Sequence, residues 1–195
     1  LSHDLATVLV EVKNTAFSCV EIDNQAGGQL AAEFLLDRGH RRCAFVGDSE
    51  VPDYAIPTSD WRLVGYRRSL LNAGIELPAA YIALAPHGMK QACQQVHQLL
   101  NLPEPPTAIF APSDTQAMGV LKAARERGLR VPAELAVIGF DDVEIADYIG
   151  LTTIRQPLKE SGRVAVDLLL AQLADRSRPI QRVTLPLTLV QRETA

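Results

Sequence analysis

Arg62 is the residue whose placement most suggests chemistry. The sequence predicts a helix over 60–73, which sets Arg62 in its first turn. There the positive end of the helix dipole disfavours a cation by ~0.3–1 kcal/mol. A guanidinium is better accommodated at such a place if it meets a carboxylate or a ligand oxygen; the pattern alone equally allows a solvated arginine. Asp141 and Asp142, at the end of the apolar run 135–140, offer the carboxylate. A guanidinium and an acid converging in a dry hollow make strong, charge-assisted hydrogen bonds to a polar ligand. Trp61, the single tryptophan, has a flat face that could meet a sugar ring, but its first reading is as a buried packing residue. Ser113 and Asp114 follow another apolar run. They are expected to cap the next helix, and a cap at that position can also touch a ligand. His87 and His97 show no metal-ligand partner at useful spacing and read as structural.

Nucleophilic catalysis has one candidate. Val46-Gly47-Asp48-Ser49 is similar to the serine block of GDSL-type esterases, which need a later Asp-x-x-His element to activate the hydroxyl. The literal match, Asp37-Arg38-Gly39-His40, precedes the serine, and no histidine follows position 97. The nucleophile therefore lacks its base. Ala26-Gly27-Gly28-Gln29 fits neither the dinucleotide fingerprint nor the phosphate-loop spacing. The expectation is a protein that is not an enzyme and has no cofactor and no metal.

The elements that must position these residues are read from periodicity. Runs 42–47, 107–112 and 135–140 are nearly unbroken apolar stretches, each ending in polar residues. Such runs are strands buried on both faces, the habit of parallel sheets. Open α/β sheets bind ligands outside the carboxyl ends of their strands, so three polar strand ends predict a small-molecule cleft. Between them lie helical patterns at 25–38, 60–73, 89–102, 114–127 and 159–174, with further extended segments at 7–12, 81–85, 152–155 and 183–190. Pro186 favours an edge or a bulge in the last of these. Alternation of this kind requires right-handed crossovers and doubly wound α/β architecture.

At 195 residues the chain makes one large domain or two small ones and buries about 70% of its unfolded surface. A net charge of −4 and a pI of 5.6 argue against these residues forming a nucleic-acid surface themselves. No apolar stretch is long enough to span a membrane. Cys19, Cys43 and Cys93 are odd in number and never form a CxxC pair, which points away from disulfides and zinc and toward a reducing cytoplasm. The opening Leu1-Ser2-His3-Asp4 has no signal-peptide pattern and no initiator methionine, so a fragment or processed piece is expected.

Taken in order along the chain, several motifs resemble the effector-binding region of the lactose/galactose-repressor (LacI/GalR) family of transcription regulators. They are Val20-Glu21-Ile22-Asp23-Asn24 with Gly27-Gly28, Arg38-Gly39-His40-Arg41-Arg42, Arg62-Leu63-Val64-Gly65-Tyr66 and Ala73-Gly74-Ile75. Further on come Pro106-Thr107-Ala108-Ile109-Phe110 with Ser113-Asp114, and Gly128-Leu129-Arg130-Val131-Pro132. Ile138-Gly139-Phe140-Asp141-Asp142 and Leu151-Thr152-Thr153-Ile154-Arg155-Gln156-Pro157 complete the set. The resemblance implies a type I periplasmic-binding-protein-like fold of two doubly wound α/β subdomains, with a ligand closed between them. It places residues 1–40 and 156–178 in a partial N-terminal subdomain and 41–155 with 179–195 in the C-terminal one, with the family's helix-turn-helix absent from this chain. It implies that Arg62 grips ligand hydroxyls or a carboxylate, that Asp141 accepts hydrogen bonds from the opposite wall, that Ser113 or Asp114 and Gln156 line the site, and that His87 is a further contact; Trp61 is added to them on its flat face alone. Glu11 is a further candidate carboxylate. The implied partners are a small polar effector, operator DNA through an N-terminal domain, and a second copy in a homodimer, in the cytoplasm and without membrane. A solute-binding receptor sharing the fold is the alternative.

Overall fold

The computed structural model describes residues 5–12, 16–49 and 57–195. Two strands, β1 (Val8–Val10) and β2 (Ser18–Ile22), lead into helix α1 (Asn24–Asp37). Strand β3 (Cys43–Asp48) is followed by helix α2 (Thr58–Asn72), strand β4 (Ile82–Ala85) and helix α3 (Met89–Leu99). Next come β5 (Ala108–Phe110), α4 (Asp114–Glu126), β6 (Ala136–Asp141), the short α5 (Glu144–Tyr148) and β7 (Thr152–Arg155). Helix α6 (Leu158–Ala174) and strands β8 (Arg182–Leu185) and β9 (Thr188–Val190) complete the order. The alternation read from the sequence is present, with β2 and α5 added to it. Both additions are five residues long.

The chain divides into two compact units. One contains the described residues of Leu1–Asp23 together with Gln156–Leu187. Its sheet is wholly parallel, in the order β1-β2-β8, and α6 packs against β1 and β2. The half-buried Val164, Ala165, Leu168 and Leu169 form the expected stripe of α6, while Leu173 departs from it and is exposed.

The second unit comprises Asn24–Arg155 and Thr188–Ala195. Its sheet runs β4-β3-β5-β6-β7-β9, parallel except for β9, which pairs antiparallel with β7 at the edge. Ala44, Val46, Ile109 and Val137 face α3 and α4 in one core layer. On the other face Tyr66 of α2 meets the rings of Phe45 and Phe110, at centroid distances of 6.2 and 5.2 Å. Five of the six residues of β3, and five of the six of β6, are buried, as an unbroken apolar run requires. No described helix is long and apolar enough to cross a membrane.

The unit boundaries differ from those expected at 40/41 and 178/179. Helix α1 joins the second unit because it lies directly against α2. A Cβ added at Gly28 would stand 1.9 Å from the Arg62 carbonyl oxygen, and one at Gly65 would stand 1.9 Å from that of Gln25. Only glycine on both helices allows this approach, and it fixes the backbone of Arg62. Toward the other end, β8 pairs with β2, so the first unit extends to Leu187. Pro186, with Leu187, interrupts what would be one strand, dividing β8 in one sheet from β9 in the other.

Candidate functional site

The polar residues of interest gather at the carboxyl ends of the second unit's parallel strands. Asp48 closes β3, Ser113 follows β5, Asp141 closes β6 and Arg155 closes β7. Arg62 reaches this rim from α2. That helix begins at Thr58, two residues earlier than expected, so Arg62 is its fifth residue and lies beyond the first turn, where the dipole effect is concentrated. What secures it is anchoring rather than dipole compensation. Nε donates to Asn24 Oδ1 at 2.9 Å, Nη1 donates to the Pro112 carbonyl at 2.5 Å, and the guanidinium carbon stands 3.5 Å above the centre of the Phe140 ring. Arg62 is only 6% exposed.

Asp141 Oδ1 lies 3.7 Å from Arg62 Nη1, so the structure brings the expected pair together. The two belong to one unit and are neighbours on the same rim. Both Asp141 (φ +113°) and Asp142 (φ +58°) have positive φ, a conformation that aspartate tolerates better than most side-chain-bearing residues. The turn is braced from behind. Asp142 ion-pairs with Arg155 at 2.5 Å and Arg192 at 2.8 Å. Burial works against its carboxylate, yet these two cations hold its pKa below the ordinary value.

Asp114 is fully buried beneath the same turn. Its Oδ1 accepts from the Thr153 hydroxyl at 2.6 Å and its Oδ2 from the Val143 N–H at 2.9 Å. Burial pushes its pKa up to about 6, the two hydrogen bonds oppose the rise, and the charges of Asp141 and Asp142 add to it. Of the expected site residues Asp114 is therefore the one that holds the rim instead of presenting a group on it.

Ser113 caps α4 as anticipated, its Oγ accepting from the Gln116 N–H at 3.2 Å. The same hydroxyl donates to Gln116 Oε1 at 2.8 Å, and Gln116 Nε2 donates to Asp48 Oδ1 at 3.0 Å. His87 is exposed and places Nδ1 3.1 Å from that same Asp48 oxygen. A chain of polar groups thus links the ends of β3 and β5 with the loop before α3. Trp61 is half-buried on α2, next to Arg62. Gln156 directly follows β7 and belongs to the first unit, as does Glu11, which follows β1 with φ +61°. Ser49, the esterase candidate, is exposed, and its backbone N–H bonds the Ala85 carbonyl.

Sequence reasoning missed Asp48, Gln116, Asn24 and Phe140 as parts of this rim. Asp48 stood at a recognised polar strand end, and Asn24 lay within a quoted motif, so both left a signal. The Pro112 carbonyl, a backbone group, left none. A second cluster lies on the α3–α4 surface. Cys93 and His97 are four residues apart on α3, and their ligating atoms lie within 4.8 Å of each other and of a Glu126 carboxylate oxygen. This corrects the reading of His97 as lacking a metal-ligand partner, since Cys-x-x-x-His on a helix puts both side chains on one face.

A parallel sheet whose carboxyl ends carry an anchored arginine, facing acids and amides, defines a ligand-binding α/β unit of the periplasmic-binding-protein type. Residues 32–195 match the periplasmic binding protein-like domain family. The HTH-type transcriptional repressor CytR of Escherichia coli (strain K12) is 38% identical over 156 residues, 79% of this chain and 45% of the repressor. A LacI family transcriptional regulator from Mycobacterium smegmatis has a solved structure that superposes with a TM-score of 0.83 at 31% identity, covering 98% of this chain and 70% of the other. One from Enterococcus faecium, solved with bound ribose, gives 0.84 at 27% identity, covering 96% and 69%. The chain belongs to the LacI family, in the part that carries the effector-binding domain. It spans about half the length of the curated relatives it matches.

Proposed function

We propose that the chain is the sensor region of an allosteric transcription repressor that binds a small polar metabolite, a sugar or sugar derivative, and thereby alters the affinity of a DNA-binding domain for its operator. The observation that carries this reading is the Arg62–Asp141 pair at the strand ends, with a buried guanidinium fixed by Asn24, Pro112 and Phe140. An arginine held in this way loses little side-chain entropy on meeting a ligand, and a neighbouring carboxylate suits hydroxyl donors. The relative solved with ribose supports a sugar-type effector.

In this reading Arg62 and Asp141 hold the ligand's hydroxyls, and Ser113, His87, Trp61 and Gln156 line the site. Asp114 belongs to the site as the residue that fixes the Asp141 turn. The second unit corresponds to the C-terminal subdomain and the first to the N-terminal one. The effector acts only through a difference in its affinity for two conformations of the regulator. The assembly is a cytoplasmic homodimer without catalytic activity, consistent with relatives that are themselves repressors.

The test is calorimetry of the chain against ribose, other pentoses and hexoses, nucleosides and small carboxylic acids. Saturable binding of one class, abolished by Arg62→Ala with the fold intact, supports the proposal. Full affinity in that variant overturns the site, and silence across the whole panel overturns the sugar assignment.

A further inference from the structure

We propose that Cys93, His97 and Glu126 form a transition-metal site on the α3–α4 surface, separate from the effector rim, which takes a borderline-soft dication such as Zn²⁺. The donor set is one sulfur, one imidazole nitrogen and one carboxylate oxygen. Glu126 Oε2 lies 3.5 Å from Cys93 Sγ and 2.8 Å from His97 Nε2, and all three ligating atoms fall within 4.8 Å of one another. Tetrahedral zinc, with bonds of about 2.0–2.3 Å to these atoms, needs ligand separations of about 3.2–3.7 Å. Small rotations of the histidine and glutamate side chains supply them, and water completes the coordination.

The scaffold is rigid where it matters. A Cβ on Gly119 of α4 would stand 2.3 Å from the Met89 carbonyl, so the two helices are held at glycine contact distance. Beneath the cluster Ala92, Val96, Val120, Ala123 and Ala124 are buried at the helix junction. Cys93 and His97 sit one turn apart on one helix, and Glu126 faces them from the other. Ligands on packed helices are better pre-positioned than ligands on loops.

Charge also fits. A thiolate and a carboxylate neutralise a dication, and the carboxylate is already ionised, paired with Lys122 through its other oxygen. Arg127 marks the present proton arrangement. Its Nε–H donates to His97 Nδ1 at 3.0 Å, which leaves the ring proton on Nε2, donated to Glu126. On metal binding the Cys93 thiol releases its proton to solvent, and the ring proton moves from Nε2 to Nδ1. Arg127 Nε must then turn away, while Nη2 keeps its bonds to the His97 carbonyl and Asn101 Oδ1. Arg127 therefore opposes the metal, and its removal strengthens binding.

The experiment titrates the full chain with Co²⁺ as a spectroscopic probe and Zn²⁺ as competitor, under reducing conditions. The expected result is a thiolate-to-cobalt charge-transfer band, displaced by Zn²⁺, with one proton released per metal in buffers of different ionisation enthalpy. Cys93→Ala removes the band. His97→Gln, a change at a partly exposed position that removes a ligand outright, weakens binding by more than the about ten- to a hundredfold typical of losing an outer-shell partner, with circular dichroism unchanged in both variants. Arg127→Ala tightens binding. A band that survives Cys93→Ala assigns the metal to Cys19 or Cys43 and overturns the site, and so does a chain that shows no saturable binding. Weaker binding in Arg127→Ala overturns the tautomer step.

Discussion

Asp141 and Asp142 are adjacent in sequence and opposite in role. Asp141 keeps 23% of its side chain exposed and stands beside the anchored Arg62, whereas Asp142 keeps 5% and is locked between Arg155 and Arg192. The front of the turn presents a carboxylate, and the back consumes one in holding that presentation. Asp114 extends the back, spending both oxygens on Thr153 and Val143. A binding rim built in this way separates affinity from stability. Substitutions on the front should cost ligand, and those on the back should cost the fold.

The largest expected effect is on the back. Asp142→Ala removes the buried carboxylate that pairs with Arg192, whose side chain is 14% exposed and keeps Asp147 and the Leu151 carbonyl as partners. Breaking a buried pair by removing one partner destabilises by about 3–5 kcal/mol. Urea denaturation of Asp142→Ala should show a loss toward the lower end of that range, because Arg155 is half exposed and can turn to solvent. A loss below about 1 kcal/mol would place Asp142 among ordinary surface ion pairs and dissolve the contrast with Asp141.

On the front, Arg62→Lys and Asp141→Asn sharpen the comparison. Lysine cannot reproduce the donor fork that serves Asn24 and Pro112 while lying flat on Phe140. A lost charge-assisted hydrogen bond costs about 1.5–3 kcal/mol, on the order of ten- to a hundredfold in effector affinity. Calorimetry of both variants should show that loss, with Asp141→Asn keeping its midpoint in urea. If Asp141→Asn unfolds as easily as Asp142→Ala, front and back are one structural unit.

How much of this was legible beforehand depends on range. The strand ends were readable because 42–47, 107–112 and 135–140 are buried on both faces and carry their signal locally. Arg62 and an acid from the Asp141-Asp142 pair were readable as partners. Which aspartate would pair was not readable from the pattern, and only the family resemblance singled out Asp141, because the choice rests on two positive φ values and on Arg192, fifty positions away. The allegiance of α1 was likewise hidden, since Gly28 and Gly65 reveal their contact only when the helices are side by side. The Cys93–His97 spacing is visible in the sequence, whereas Glu126 becomes a neighbour only through the packing of α3 on α4.

The back of the turn also predicts a pH dependence. Asp114 titrates near 6 in the folded protein against an ordinary value of 3.8, because burial disfavours its charge. With the folded value raised, the native state holds a proton that the unfolded chain has already released. Its contribution to stability is thus greatest at low pH and declines as pH rises from about 4 to about 6, by at most about 1.4 kcal/mol per pH unit. Asp142, whose pKa is depressed, works in the opposite sense, so the measurement must be a difference. Asp114→Asn isolates it. The amide oxygen can still accept from Val143, and the amide N–H can donate to the Thr153 hydroxyl, so the variant should fold. Urea midpoints between pH 4 and 7 should show the wild type losing ground relative to Asp114→Asn. Parallel curves would mean that Asp114 is not titrating in this window.

The smallest effect is expected at His87, which bears on where the rim ends. Its side chain is 56% exposed and meets Asp48, which Gln116 already holds at 3.0 Å. An exposed pair of this kind contributes about 0–1 kcal/mol to stability, so His87→Ala should leave the urea midpoint nearly unchanged. Its effect on effector affinity separates two extents of the front. A change of less than about threefold, which is within that same range, confines the ligand to the Arg62–Asp141 end of the rim. A loss matching that of Arg62→Lys would extend the ligand across the ends of β5 and β3 as far as the loop before α3, and would make the Ser113–Gln116–Asp48 chain part of the binding surface instead of a brace for it.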